Sequence, residues 1–176
     1  MPTLKRTQLL PGVFLTAIHT EKFKSSLFSM TLLTPLRAET AATEALIPFL
    51  LLRGSETCPD MQAISAKLDQ LYGGSVSPVV RKKGEVHCLG LLGSFLSDAY
   101  TLDGSGILAE AIRFVGELLL RPHTENGVFS RDYTRQEKDN LTDRIRAEIN
   151  DKRLYANRRV VEEMCAGEPY GVSALG

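Results

Sequence analysis

Two short β-favouring runs come first along the chain, and later segments repeat apolar residues at helical spacing. Residues 13–18 and 27–33 are rich in β-favouring and apolar side chains, and a polar stretch separates them. This pattern predicts a hairpin of antiparallel strands. From residue 40 to residue 52 the apolar positions follow a helical period, with Pro48 inside the helix and Gly54 as its stop.

The middle of the chain predicts another helix, a strand pair and then three helices. Asp60 can cap a helix that ends at Gly73. Strands over 76–81 and 85–92 follow, and Pro78 favours an edge or bulge for the first of them. After a loop over 102–106, a helix is expected over 107–119. A second helix is expected to begin after Ser130, its N-cap, and a third is expected over about 154–165. This order predicts an α+β fold in which helices pack on one face of an antiparallel sheet.

Composition narrows the classes of protein that the chain can represent. The chain has 176 residues, enough for one hydrophobic core without a metal or disulfide. Its 21 basic and 21 acidic residues cancel, which argues against nucleic acid or an anionic lipid surface as the main partner. The apolar run over 45–52 is too short to span a membrane. Three cysteines, an odd number, suit the reducing cytoplasm.

The side chains that could carry chemistry are few. His19, His87 and His123 are the histidines of the sequence, and neither His-Glu-x-x-His nor His-x-x-Glu-His occurs. His87 and Cys88 are neighbours on a predicted strand, so they should face opposite sides as a half-buried pair. The sequence has no nucleophile elbow, phosphate loop or dinucleotide fingerprint, and residues 104–106 are expected to form a flexible loop. These residues alone predict no catalytic site.

The order of several weak motifs is more informative than any one of them. An apolar stretch with a basic residue, Gly and Ser occupies 50–55, and a Leu-x-x-Leu-Tyr-Gly-Gly segment occupies 68–74. Phe129, a Glu-Lys pair at 137–138, an Ile-Arg pair at 145–146 and Pro-Tyr-Gly at 169–171 follow. In this order the chain resembles the N-terminal domain of the pitrilysin/insulinase family of zinc metallopeptidases, which includes mitochondrial processing peptidase.

The resemblance implies that the zinc motif has been lost. In that family a helix carries His-x-x-Glu-His, and a glutamate further along completes the zinc site. Alignment on residues 53–55 places Ala45 and Phe49 at the two histidines and Pro48 at the glutamate, with Arg144 near the distal ligand. Alanine, phenylalanine and arginine offer no electron pair to zinc, and proline cannot act as a base. We therefore expect neither catalytic residues nor a zinc cofactor in this chain.

The resemblance also implies a role and partners. We expect residues 1–176 to form a single N-terminal domain, cut from a longer two-domain subunit that is a non-catalytic pseudopeptidase. Its expected partner is an active relative with His-x-x-Glu-His, or a second copy, and unfolded peptides are possible ligands. Such a peptide could add to an edge strand carrying Leu27, Ser29, Thr31 and Leu33.

Two other interpretations remain open at this stage. The chain could belong to an active zinc metallopeptidase with unrecognised ligands, drawn from His87, His123, Glu137 or residues outside the sequence. It could also be a standalone interaction domain without a peptide chamber.

Overall fold

Five strands and five α-helices make up the regular structure of the residues that the computed structural model describes, which are 3–102, 104 and 106–176. The strands are β1 (Thr3–Leu10), β2 (Val13–His19), β3 (Ser25–Pro35), β4 (Ser75–Lys83) and β5 (Val86–Leu96). The helices are α1 (Ala41–Leu51), α2 (Met61–Gln70), α3 (Ile107–Leu120), α4 (Arg131–Ala147) and α5 (Lys152–Met164). Asp103 and Ser105 of the expected loop lie outside the described residues. The α+β class is confirmed.

The strands form two separate antiparallel sheets, and one predicted pairing is wrong. β1 and β2 form a two-stranded ribbon around Pro11 and Gly12, whereas β3, β5 and β4 form a three-stranded sheet in that order. The expected hairpin between 13–18 and 27–33 therefore does not exist, because β2 pairs with β1 and β3 pairs with β5. Gly12 has φ +79°, which suits the tight turn of the ribbon.

The β4–β5 hairpin agrees with its sequence prediction. Its turn lies at Lys83 and Gly84, and β4 occupies one edge of the three-stranded sheet, as Pro78 indicated. β3 occupies the other edge, so β5 is the central strand. Gly90 of β5 lies close to β3: a Cβ there would lie 2.0 Å from the Met30 carbonyl oxygen.

The hydrophobic core lies between the three-stranded sheet and the helices. Leu91 and Phe95 of β5 pack with Val115 and Leu118 of α3, and residues of α2 close one side. His87 and Cys88 are both buried, which corrects the half-buried pair expected from the sequence. The sheet alternation places His87 on the helix side, together with Leu89 and Leu91.

The predicted helix starts differ in how their caps are made. Asp60 caps α2 as predicted, because its Oδ1 accepts a hydrogen bond of 2.8 Å from the Ala63 amide. Ser130 immediately precedes α4, but its side chain makes no capping hydrogen bond in the structure as described. None of the helices in the described ranges is both long enough and apolar enough to cross a membrane.

Candidate functional site

The three positions aligned with the zinc motif lie on one face of α1. Residues 45, 48 and 49 are related by three- and four-residue steps, which place them side by side on a helix. Ala45 and Pro48 are buried, and Phe49 is half-buried. α1 packs against β5 on one side and against α4 on another, so its outer residues meet the charged helix α4.

Phe49 meets Arg144 where α1 faces α4. The Arg144 guanidinium carbon lies 4.7 Å from the centre of the Phe49 ring, a cation–π contact. An open cleft of about 320 Å³ lies beside this pair, and Asn140 and Asp143 of α4 contribute to its wall. The structure thus brings together an aromatic ring and a cation at two positions that the alignment relates to zinc ligands.

A second cation lies beside the same helices. Arg53 follows α1 and forms an ion pair with Glu137 of α4, whose Oε1 accepts a hydrogen bond of 2.6 Å from the Arg53 Nε. Glu137 is only 9% exposed, and Asn140 donates to its other oxygen at 3.4 Å. The Arg53 guanidinium also lies 5.3 Å from the centre of the Tyr133 ring. The Glu137 carboxylate is therefore neutralised by the side chain of Arg53.

The alternative zinc ligands have other partners in the structure. The His87 Nδ1 lies 3.0 Å from a Glu44 carboxylate oxygen, and its Nε2 lies 2.9 Å from the Ala174 carbonyl oxygen. His123 is exposed and lines a small pocket beside Arg53. Within residues 3–102, 104 and 106–176, no three His, Cys, Asp or Glu side chains come together as a group that could hold a metal ion.

Two glutamates on the helices are held in their charged form by hydroxyl groups. The Thr34 hydroxyl donates to Glu44 at 2.7 Å and lowers the pKa of that carboxyl, with His87 adding to the effect. Burial raises the pKa of Glu117, but hydrogen bonds from Thr57 and Ser55 lower it by more. Glu117 accepts the Ser55 hydroxyl at 2.7 Å, and it accepts the Thr57 hydroxyl and amide at 2.6 and 2.9 Å. Glu117 thus ties the α1–α2 loop to α3.

The chain after α5 crosses back over one end of the three-stranded sheet. The Lys82 ammonium of β4 donates to the carbonyl oxygens of Tyr170 and Val172 at 2.6 and 2.9 Å, and it lies 4.7 Å from the centre of the Tyr170 ring. Ala174 then meets His87 of β5. We call this segment, residues 170–174, the return segment.

The candidate peptide-binding strand, β3, lies at the sheet edge opposite to β4. Leu27 and Leu33 are 67% and 68% exposed. The hydroxyl oxygens of Ser29 and Thr31 lie 3.0 Å apart, so these two side chains share a face. By strand alternation that face is opposite to the one on which Phe28 and Met30 pack against the core. The four residues thus line one continuous face of an edge strand.

Known proteins resemble this chain in both sequence and fold. It is 35% identical over 159 residues, or 90% of its length, to a probable inactive metalloprotease, YmfF, of Bacillus subtilis strain 168. Its fold matches the crystal structure of a peptidase M16 inactive domain from Pseudomonas fluorescens, with a TM-score of 0.66, 13% identity and 99% of the chain covered. The chain belongs to the pitrilysin-like family of metallopeptidases. No family model matches it.

A second crystal structure is more similar to this chain in both fold and sequence. A conserved protein from Enterococcus faecalis V583 matches 98% of the chain with a TM-score of 0.85 and 30% identity. The chain spans 37% of the Bacillus relative and 41% and 39% of the two crystallised chains.

The sequence predicts which positions replace the zinc motif, but it does not predict the contacts between the residues at those positions. The alignment singled out Phe49 and Arg144 separately, and nothing in their spacing signalled a ring–cation contact. The Arg53–Glu137 pair joins residues 84 positions apart, so no local pattern could reveal it. The sequence presents Arg53 only as part of a motif, and Glu137 as part of a Glu-Lys pair and as an alternative zinc ligand.

Proposed function

We propose that this chain is the N-terminal part of a non-catalytic, peptidase-like subunit that assists an active zinc-bearing relative in processing peptides or proteins. One observation carries the proposal: the Arg144 guanidinium, near the expected position of the distal zinc ligand, lies over the ring of Phe49, which is aligned with a zinc histidine, at 4.7 Å. The relationship to a probable inactive metalloprotease supports the same conclusion.

The chemistry of these side chains opposes a hydrolytic zinc site. A catalytic zinc needs about three protein donors and a base that activates its water. Ala45 and Phe49 carry no electron pair that zinc can use, and Pro48 cannot take a proton from water. Arginine keeps its charge at any physiological pH, so Arg144 would repel a divalent cation. The nearby Glu137 is neutralised by Arg53.

The remaining architecture favours a binding role. In this proposal an unfolded peptide adds to the free edge of β3 beside Leu27, Ser29, Thr31 and Leu33, and main-chain hydrogen bonds give it sequence-tolerant affinity. The active partner supplies the zinc, and the pair forms a heterodimer. We place the subunit in the cytoplasm, because its three cysteines are free thiols and two of them, Cys58 and Cys88, are buried.

The test uses the full-length subunit, alone and mixed with a relative that carries His-x-x-Glu-His. We expect the subunit alone to purify without stoichiometric zinc and to leave an unstructured fluorogenic peptide intact. We expect the mixture to cleave that peptide faster than the relative does alone. Stoichiometric zinc and chelator-sensitive cleavage by the isolated subunit would overturn the proposal in favour of an active enzyme. No effect on the relative and no affinity for the peptide would favour a standalone interaction domain.

A second experiment tests the alignment by restoring the motif. The variant Ala45→His, Pro48→Glu, Phe49→His, Arg144→Glu should bind about one zinc ion per chain, measured by elemental analysis after dialysis. The matched control keeps Phe49 and so lacks one donor, and it should bind zinc much more weakly. Circular dichroism establishes that both variants fold. Equal zinc content in folded samples of the two would show that the positions were misaligned.

If the chain belonged to an active enzyme whose zinc is held by His87 and His123, both residues would be required. Hydrolysis by a full-length subunit should then disappear in the double variant His87→Gln, His123→Gln. Hydrolysis that survives this change would exclude that ligand set.

A further inference from the structure

Two neighbouring basic side chains hold the return segment against the three-stranded sheet. In the β4–β5 register Lys82 lies opposite His87, and both side chains reach residues 170–174. Lys82 binds two carbonyl oxygens of the segment, whereas His87 meets the carbonyl oxygen of Ala174, which follows them in the chain. His87 therefore holds the far end of the return segment.

The His87 ring lies between two groups that accept hydrogen bonds. The side chain is fully buried, with Nδ1 3.0 Å from Oε2 of Glu44 and Nε2 2.9 Å from the carbonyl oxygen of Ala174. Neither a backbone carbonyl oxygen nor an ionised carboxylate has a proton to donate. A neutral imidazole carries one N–H, so it could donate to only one of these partners. Both contacts are hydrogen bonds only if the ring is an imidazolium.

Glu44 is held in the ionised form that this arrangement needs. The hydroxyl group of Thr34 on β3 donates to the same Oε2 at 2.7 Å, and this hydrogen bond is the main cause that lowers the pKa of Glu44. An ionised carboxylate accepts hydrogen bonds and donates none. Glu44 therefore presents an acceptor to Nδ1 of His87, and the ring must supply the proton.

The groups packed around the ring act on its charge in opposite directions. The Glu44 carboxylate of α1 favours the imidazolium, whereas the Lys82 ammonium, opposite on β4, disfavours it. Burial also disfavours the charged ring. β3 contributes the uncharged Thr34, opposite His87 in the β3–β5 register, and the return segment contributes a carbonyl oxygen. The charge on Glu44 thus keeps the second proton on the ring.

We propose that His87 is a protonation latch: its imidazolium holds residues 170–174 on the sheet, and loss of one ring proton to solvent releases them. The remaining proton stays on Nδ1, because a carboxylate accepts an N–H more strongly than a carbonyl oxygen does. The Nε2 lone pair then faces the Ala174 carbonyl oxygen, and the two repel each other. The hold is therefore present at low pH and is lost as the pH rises through the titration of the ring. The latch needs neither zinc nor an active relative, so it stands or falls independently of the proposed function.

Hydrogen–deuterium exchange of the full-length subunit, read by mass spectrometry, tests the latch at pH values from about 5 to about 9. Each rate is divided by the intrinsic exchange rate at that pH, because exchange itself depends on pH. We expect the protection of residues 170–174 to fall roughly tenfold or more as the pH rises, since one hydrogen bond from a charged group is lost. Peptides from α2 serve as the reference for a change in the whole domain.

The variant Glu44→Gln distinguishes a latch from a merely structural contact. Its new amide group can donate to Nδ1 of a neutral ring, which leaves the N–H on Nε2 to bind Ala174. We therefore expect the protection of residues 170–174 to become nearly independent of pH in this variant, and circular dichroism establishes that it folds. The matched control is His19→Gln, at an exposed position of the β1–β2 ribbon, which should keep the pH dependence of the parent protein.

NMR of the subunit labelled at its histidine ring nitrogens reports the protonation state directly. Both ring nitrogens of His87 should carry a proton at the lowest pH, and Nε2 should lose its proton at the highest. The His87 signals are assigned by their absence from the variant His87→Gln. The proposal would be overturned by a ring with one proton at the lowest pH or by protection that does not fall with pH in the parent. A fall that persists unchanged in Glu44→Gln would overturn it equally.

Discussion

The Arg53–Glu137 ion pair offers a direct measurement of how the region beside α1 is held together. Arg53→Met removes the guanidinium and keeps most of the aliphatic stem. Glu137, 9% exposed, then keeps a buried charge whose remaining hydrogen-bond partner is Asn140. Breaking a fully buried pair in this way costs about 3–5 kcal/mol. The two side chains retain 19% and 11% exposure, so we expect a cost of about 2–4 kcal/mol after solvent screening.

The matching change should undo most of that cost. In the double variant Arg53→Met, Glu137→Met, no buried charge is left unpaired, and such replacements are often neutral or stabilising. We expect a coupling energy of at least about 2 kcal/mol from the double-mutant cycle. Urea unfolding gives the four free energies. In thermal unfolding, the Arg53→Met variant should melt about 5–15 °C below the parent chain.

An exposed ion pair supplies the control. Arg135 and Asp132 lie 3.0 Å apart on α4, but their side chains are 73% and 77% exposed. Arg135→Met should therefore change the free energy of unfolding by less than about 0.5 kcal/mol. The reasoning would be refuted if Arg53→Met cost no more than Arg135→Met. A double variant that loses the full sum of its two single changes would refute it equally.

Two further changes test the sheet and the α1–α2 loop. Gly90→Ala would place a Cβ 2.0 Å from the Met30 carbonyl oxygen, so β3 must shift. Urea unfolding should therefore show that the free energy of unfolding falls by about 1–3 kcal/mol. Gly106 has open space around it, so Gly106→Ala should leave the free energy of unfolding unchanged. Equal losses in the two variants would contradict the steric explanation. Because the pKa of folded Glu117 is lowered, its stabilisation is present above the unfolded pKa and is lost as the pH falls through the folded pKa. In the variant Glu117→Gln, the free energy of unfolding should therefore fall less steeply as the pH drops below about 4.5. An unchanged slope would contradict the role given to Glu117.

The elements that the sequence predicted correctly depend on neighbouring residues. The Asp60 cap needs only the amide three residues later, and the β4–β5 turn needs only Lys83 and Gly84. Such signals lie within a few positions of each other. Propensity and turn chemistry therefore predict α2, β4 and β5 in nearly their observed places.

The partner of β3 could not be predicted in the same way. β3 and β5 are separated by the whole of α1, α2 and β4, and any apolar strand of suitable length would satisfy the local pattern of β3. β2 directly precedes β3 in the sequence, so the local pattern favours β2 as its partner. The turn at Pro11 and Gly12 instead turns β2 back onto β1, a strand whose mixed polar sequence gave no clear alternation.

For the site, one aligned segment predicts that Ala45 and Phe49 stand where the family has zinc ligands, and this assignment stays a prediction. The compensating contacts depend on how α1 and α4 pack, which brings Phe49 to Arg144 and Arg53 to Glu137. Those contacts follow from tertiary packing and have no signature in residue spacing.

The return segment determines how the domain should respond to mechanical load. Lys82 and His87 hold residues 170–174 against β4 and β5, so a pull on that segment reaches the sheet before it reaches α5. Three hydrogen bonds on two adjacent strands then share the load, and α5 does not unfold turn by turn. A force applied to the return segment would therefore load the central strand β5 before it loads the helices.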